Sequence, residues 1–158
     1  MNISVKWLNR YLEPADLSVA DAVSVIEAAS FPIEAVEELP GGDARLDVEV
    51  TSNRGDALCH VGLARDVAAA TGRRLKEPEP TARASGGPAA GVTAVDNRVV
   101  DGGLCPRFTA RVIEGVRVGP SPAWLRGALE AVGQRSINNI VDVSNYVLFE
   151  LGHPSHTF

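Results

Sequence analysis

The stretch from Arg135 to Phe158, RSINNIVDVSNYVLFELGHPSHTF, constrains the fold more than any other. Asn139 is placed to cap a helix, and Asp142 stands where a capping box puts its acidic residue. Apolar residues recur at Ile140, Val143, Val147, Leu148 and Leu151, the spacing of one helical face. Gly152 marks the stop, and Pro154 prevents the helix from resuming. Each residue turns a helix by about 100°. Ser144 therefore falls inside the apolar stripe and Asn145 on its flank. Two readings follow. One is a capped core helix whose serine bonds to its own backbone. The other is a polar pocket in which Ser144, Asn145 and His156 meet at one rim. Pattern alone leaves both open.

A chain of 158 residues suits one domain or two small ones. A hydrophobic content of 45% is ample for a packed core. The net charge of −5 argues against bulk polyanion binding, which needs a basic face. Cys59 and Cys105 stand alone without CxxC spacing and read as reduced thiols of a cytoplasmic protein. The opening MNISVKWLNRYL has no long apolar run, so neither a signal peptide nor a membrane span is expected.

Taken in order, Ile3 to Leu8 reads as a short strand running into a helix start. Ser18 and Asp21 form a capping box ahead of a helix over 19–29. Pro40-Gly41-Gly42-Asp43 is a turn joining a strand over 33–39 to the alternating Leu46, Val48 and Val50. A helix over 57–71 ends at Gly72. Residues 77–91, EPEPTARASGGPAAG, have linker composition. Beyond them the expected elements are strands at 92–95 and 108–116, a helix capped by Ser121 with Pro122 at its first position, and the final helix. The expected fold class is α+β, divided as 1–75, a linker at 76–91, and 92–158. The last unit is close to the size at which burial becomes marginal, and is expected to be incomplete or to need a partner.

Short motifs add little. Arg54-Gly55-Asp56 reads as a turn rather than an adhesion tripeptide. Cys59 and His60 diverge on a helix and have no second pair nearby, so no metal site is expected. Arg107 and Arg111 share an expected strand face and are candidate RNA phosphate contacts.

Three long segments carry a more specific signal. They are ISVKWLNRYL, LDVEVTSNRGDALCHVGLARDVAAATG, and CPRFTARVIEGVRVGPSPAWLRGALEAVGQRSINNIVDVSNYVLFELGHPSHTF. Together they resemble the N-terminal part of bacterial phenylalanyl-tRNA synthetase beta subunits, running into the start of the editing domain. The resemblance implies an alpha2beta2 heterotetramer acting on tRNA-Phe, with ATP and magnesium handled by the alpha subunit and no cofactor in this chain. It implies hydrolysis of tyrosine wrongly esterified to that tRNA. A hydrophobic pocket rejects an added hydroxyl only weakly, so a second site must read it. On the family's pattern the editing pocket would include Ser144, Asn145 and His156, with serine in place of the family's threonine.

The departures are specific. The family's tyrosine-reading glutamate would lie beyond Phe158. Gly41-Gly42-Asp43 closes the gap where an oligonucleotide-fold module is common. Ser52, Gly55 and Ser136 replace frequent prolines, which would loosen turns, and His153 replaces a usual glutamine. The isolated chain is expected to be inactive. A free-standing trans-editing hydrolase and a non-catalytic RNA- or protein-binding module are the alternatives.

Overall fold

The computed structural model describes residues 1–83, 89–91 and 109–157. Strand β1 (Asn2–Ser4) is short because Ser4 also caps a helix: its hydroxyl accepts the Trp7 amide at 3.0 Å and starts α1 (Val5–Asn9). Asp43 fixes the corner by accepting the Ser4 hydroxyl at 2.6 Å and the Lys6 amide at 2.9 Å. After strand β2 (Leu12–Glu13), helix α2 (Val19–Ala28) begins where Ser18 accepts the Asp21 amide at 3.1 Å. This is the expected start.

The hairpin forms as read. Strands β3 (Ile33–Leu39) and β4 (Asp43–Val48) are antiparallel, and Gly41 and Gly42 between them take φ of +78° and +76°, where a side chain would be strained. Strand β4 lies between β1 and β3. Its alternate residues Ala44, Leu46 and Val48 are buried, so a period of two becomes one wall of the core. Strand β3 is an edge with exposed Glu34, Glu37 and Glu38, charges that oppose edge-to-edge pairing.

The next helix starts later than its apolar pattern predicts. Gly55–Ala57 is a 3-10 turn, and α3 spans His60–Thr71. Cys59 serves as its cap, accepting the Gly62 amide at 3.2 Å. Gly62 is there for space: a Cβ would lie 1.9 Å from the Asp56 carbonyl oxygen. Gly72, at φ +69°, ends the helix as expected, and strand β5 (Arg74–Leu75) then pairs with β2.

The C-terminal helices are α4 (Ala123–Ala131) and α5 (Asn139–Leu151). Both caps lie one residue from their expected places. Pro122, not Ser121, is the N-cap of α4, because the Ser121 hydroxyl bonds elsewhere. Asn138, not Asn139, caps α5, accepting the Ile140 and Val141 amides at 3.0 Å. Residues 109–116 form no strand, and their apolar Val112, Ile113 and Val116 are exposed. Alternation makes a strand only where a sheet edge accepts it. The strand expected at 92–95 lies outside the described residues.

The architecture is α+β. Met1–Glu79 and Val118–Phe158 form one compact unit, and Pro80–Arg117 is a second. Among the described residues the second unit holds a 3-10 turn at Ala89–Gly91. In the first unit, Ala128 of α4 and its C-cap Val132 belong to the same buried cluster as Ile3, Trp7, Leu8, Leu46 and Leu63. Tyr146 and Phe149 of α5 pack against it. The hydrocarbon that α4 and α5 could not bury alone is buried against residues 1–75. The division of the sequence into 1–75, 76–91 and 92–158 stays a proposal about modules.

Candidate functional site

Helix α5 docks by a face the periodicity did not select. Val143, Leu148 and Leu151 of the apolar stripe remain 51%, 39% and 45% exposed. The inward face carries Asp142, Tyr146, Phe149 and Glu150 instead. Polar and aromatic contacts, invisible to an apolar count, line that inward face.

Asp142 anchors its first turn. The carboxylate is fully buried and accepts the hydroxyls of Ser121 and Ser136, each at 2.5 Å, and the Ile137 amide at 2.9 Å. Burial pushes its pKa up, yet donors from Ser121, Ser136, Ile137 and Asn138 outweigh burial and hold it below the usual carboxylate range. Asp142 therefore joins two loops to the helix rather than completing a capping box. Ser136, expected to loosen its turn, supplies one of the anchoring bonds.

An aromatic stack fixes the other end. The Trp7 indole stacks with two rings, at 4.1 Å from His60 and 4.6 Å from Tyr146, each nearly parallel to it. Trp124 meets Tyr146 edge-on at 5.5 Å. His60 is fully buried. Its Nε2 accepts the Ser4 amide at 3.2 Å, so the ring proton sits on Nδ1 and is donated to the Phe149 carbonyl, 2.8 Å away. Burial holds His60 down to about pKa 4, against the partial opposition of the Phe149 carbonyl. Glu150 accepts the hydroxyls of Tyr11 at 2.5 Å and Tyr146 at 3.0 Å. Burial, with Glu150 adding to it, raises the Tyr11 pKa, so the phenol remains a donor. The sequence singled out His60 only as a weak metal candidate. Its adjacent partner in that reading, Cys59, turned out to be a helix cap.

With this face inward, Ser144 and Asn145 point elsewhere. Ser144 is two residues, about 200°, from Tyr146 around the helix. Its hydroxyl bonds the Ser155 carbonyl at 2.8 Å and the Ser155 hydroxyl at 2.9 Å. That tie folds the segment after Gly152 back along α5, with exposed His156 next in the chain. Ser144 thus bonds to the returning tail, not to its own helix. Asn145 is half-buried and has no side-chain hydrogen bond among the described residues. The structure brings Ser144 to Ser155 and sets His156 one residue away, and no hydrogen bond joins His156 to Ser144 or Asn145.

The other candidates separate. Arg111 is exposed on the irregular 109–117 segment, and Arg107 lies outside the described residues. The Arg54 guanidinium pairs with Asp56 at 2.9 and 3.0 Å and with Asp66 at 2.7 Å, and lies 4.9 Å over the Phe31 ring. The tripeptide is an internal brace. A groove of about 690 Å³ runs along Gly119, Arg126, Glu130, Arg135 and Asn138, beside the start of α5. Among the described residues, no group of three His, Cys, Asp or Glu side chains is placed to hold a metal. No helix among them is long and apolar enough to cross a membrane.

Residues 104–158, which include both C-terminal helices and the returning tail, match the B3/4 domain family. The whole chain is homologous to a segment of phenylalanine–tRNA ligase beta subunits. It is 46% identical over all 158 residues to that subunit from Rhodopirellula baltica, covering 23% of the relative. It is 53% identical over 122 residues, 77% of the chain and 15% of the relative, to the subunit from Anaeromyxobacter dehalogenans. The Bdellovibrio bacteriovorus subunit is 44% identical over 140 residues, 88% of the chain and 17% of that relative. The chain spans less than a quarter of the length of these relatives.

Proposed function

We propose that this chain is the N-terminal segment of a phenylalanine–tRNA ligase beta subunit, acting in the cytoplasm in an alpha2beta2 assembly on tRNA-Phe. ATP and magnesium belong to the alpha subunit's chemistry, and no step of theirs is assigned to residues here. Within the assembly, Ser144, Asn145 and His156 form one wall of a site that hydrolyses tyrosine misplaced on tRNA-Phe. The observation that carries this reading is the Ser144–Ser155 tie, which folds the His156 segment back along the helix bearing Asn145.

The chemistry asks little of this wall. Asn145 offers an amide donor and acceptor to the aminoacyl group or the terminal adenosine. The Ser144 hydroxyl holds the tail, and its remaining lone pair can orient a water. His156 is exposed and free to accept a proton from that water. Serine acting as a nucleophile is not part of the proposal, since no side chain among the described residues orients a base towards it.

The isolated 158-residue chain is expected neither to charge tRNA-Phe nor to release tyrosine from it above the uncatalysed rate. Radiolabelled tyrosyl-tRNA-Phe incubated with the purified chain checks this. Hydrolysis abolished by Asn145→Ala would instead establish a free-standing trans-editing hydrolase.

A further inference from the structure

Residues 1–75 contribute more to α5 than apolar surface. Directional contacts reach it from that side. The His60 Nδ1–H is donated to the Phe149 carbonyl, the Trp7 ring lies flat on Tyr146, and the Tyr11 hydroxyl is donated to Glu150. Tyr146, Phe149 and Glu150 lie within about 100° of one another around the helix. Contacts of this kind resist rotation, whereas apolar packing tolerates it, because a ring plane and a hydrogen-bond axis each have a direction. The apolar stripe shows that rotation is a real alternative. Turning α5 by half a revolution would bury Val143, Leu148 and Leu151, now substantially exposed, and would carry Ser144 into the core. A helix whose apolar face looks outward needs a specific lock to hold it so.

We propose that His60, with Trp7 and Tyr146, is a positioning device that sets the rotation of α5 and thereby aims Ser144 and Asn145 away from the core. His60 is the key of the lock. It is fully buried, it spans from the Ser4 amide to the Phe149 carbonyl, and it is the middle link between β1 and α5. Its role in the site rests on the editing function proposed above. Its role in holding α5 does not.

Two substitutions separate a lock from mere filling. His60→Leu keeps apolar volume and loses both bonds. His60→Asn places an amide donor near the position of Nδ1 and can restore the bond to Phe149. Hydrogen exchange on the 158-residue chain reads the lock directly. Amides of 146–151 are expected to exchange about tenfold faster in His60→Leu, those of β4 to be unchanged, and His60→Asn to recover most of the protection. Unchanged exchange at 146–151, an equal acceleration in β4, or no recovery in His60→Asn would overturn the proposal.

In the alpha–beta complex built on the full-length beta subunit, His60→Leu is expected to lower kcat/KM for tyrosyl-tRNA-Phe hydrolysis about tenfold and His60→Asn to recover most of it, with phenylalanine charging unchanged. An unchanged kcat/KM for tyrosine release, or an equal loss of phenylalanine charging, would contradict positioning of Ser144 and Asn145. If the wild-type complex hydrolyses no tyrosyl-tRNA-Phe, the functional reading fails, and the exchange result still decides the lock.

Discussion

Asp142→Ala is expected to destabilise the fold by about 3–4 kcal/mol, the largest loss among side chains outside the apolar core. The substitution removes the carboxylate that accepts from Ser121, Ser136 and Ile137. The Ser121 hydroxyl is buried, and the bonds from the Ser136 hydroxyl and the Ile137 amide are partly buried. Each charge-assisted bond is worth roughly 1.5–3 kcal/mol, and donors left unpaired add their own desolvation cost. Part of the loss is recovered by rotation of the serine hydroxyls. Asp142→Asn keeps the shape and one acceptor oxygen, so its loss should be about half as large. Urea unfolding of both variants beside the parent checks the order and the size.

Acidification from pH 7 to about 4 is expected to cost up to about 3 kcal/mol through His60 alone. The folded pKa is held to about 4 and the ordinary value is 6.5. Between those values the unfolded chain binds the proton and the folded chain does not. Stability from this group is therefore complete above 6.5 and is lost as pH falls towards 4. The charged groups that bear on His60 are Arg10, which lowers its pKa, and Asp43, which raises it. Asp142 titrates below its ordinary carboxylate value, so its own loss begins at lower pH. In His60→Leu the slope between pH 6.5 and 4 should flatten. A parent protein whose urea midpoint is unchanged across that window would refute the assignment.

Much of the first 75 residues is legible in the sequence because their signals are local. Ser18 caps, Gly41-Gly42 turns, Gly72 stops, and β4 alternates with a single buried face. The C-terminal helices were readable as helices but not as to which face they bury. An apolar count selects Val143, Leu148 and Leu151, while the energy lies in a carboxylate with its donors, a stacked indole and a buried imidazole. Those partners come from residues 4, 7, 11, 60, 121 and 136, and no local window contains them. The same separation explains the one-residue shift of both caps. Ser121 was free to cap α4 only until Asp142, 21 residues later, took its hydroxyl. At the candidate site, Ser144 and Asn145 stood out as polar residues in an apolar pattern. The tie to Ser155 did not, because a bond between two serines leaves no compositional trace.

The central claim is that the outward polar edge of α5 reads a misplaced aminoacyl group. Its most direct test is tyrosine release from tyrosyl-tRNA-Phe by the alpha–beta complex whose full-length beta subunit carries this chain. Asn145→Ala is expected to lower that release at least about tenfold, with phenylalanine charging unchanged. Equal tyrosine release by the parent and Asn145→Ala complexes would contradict the account.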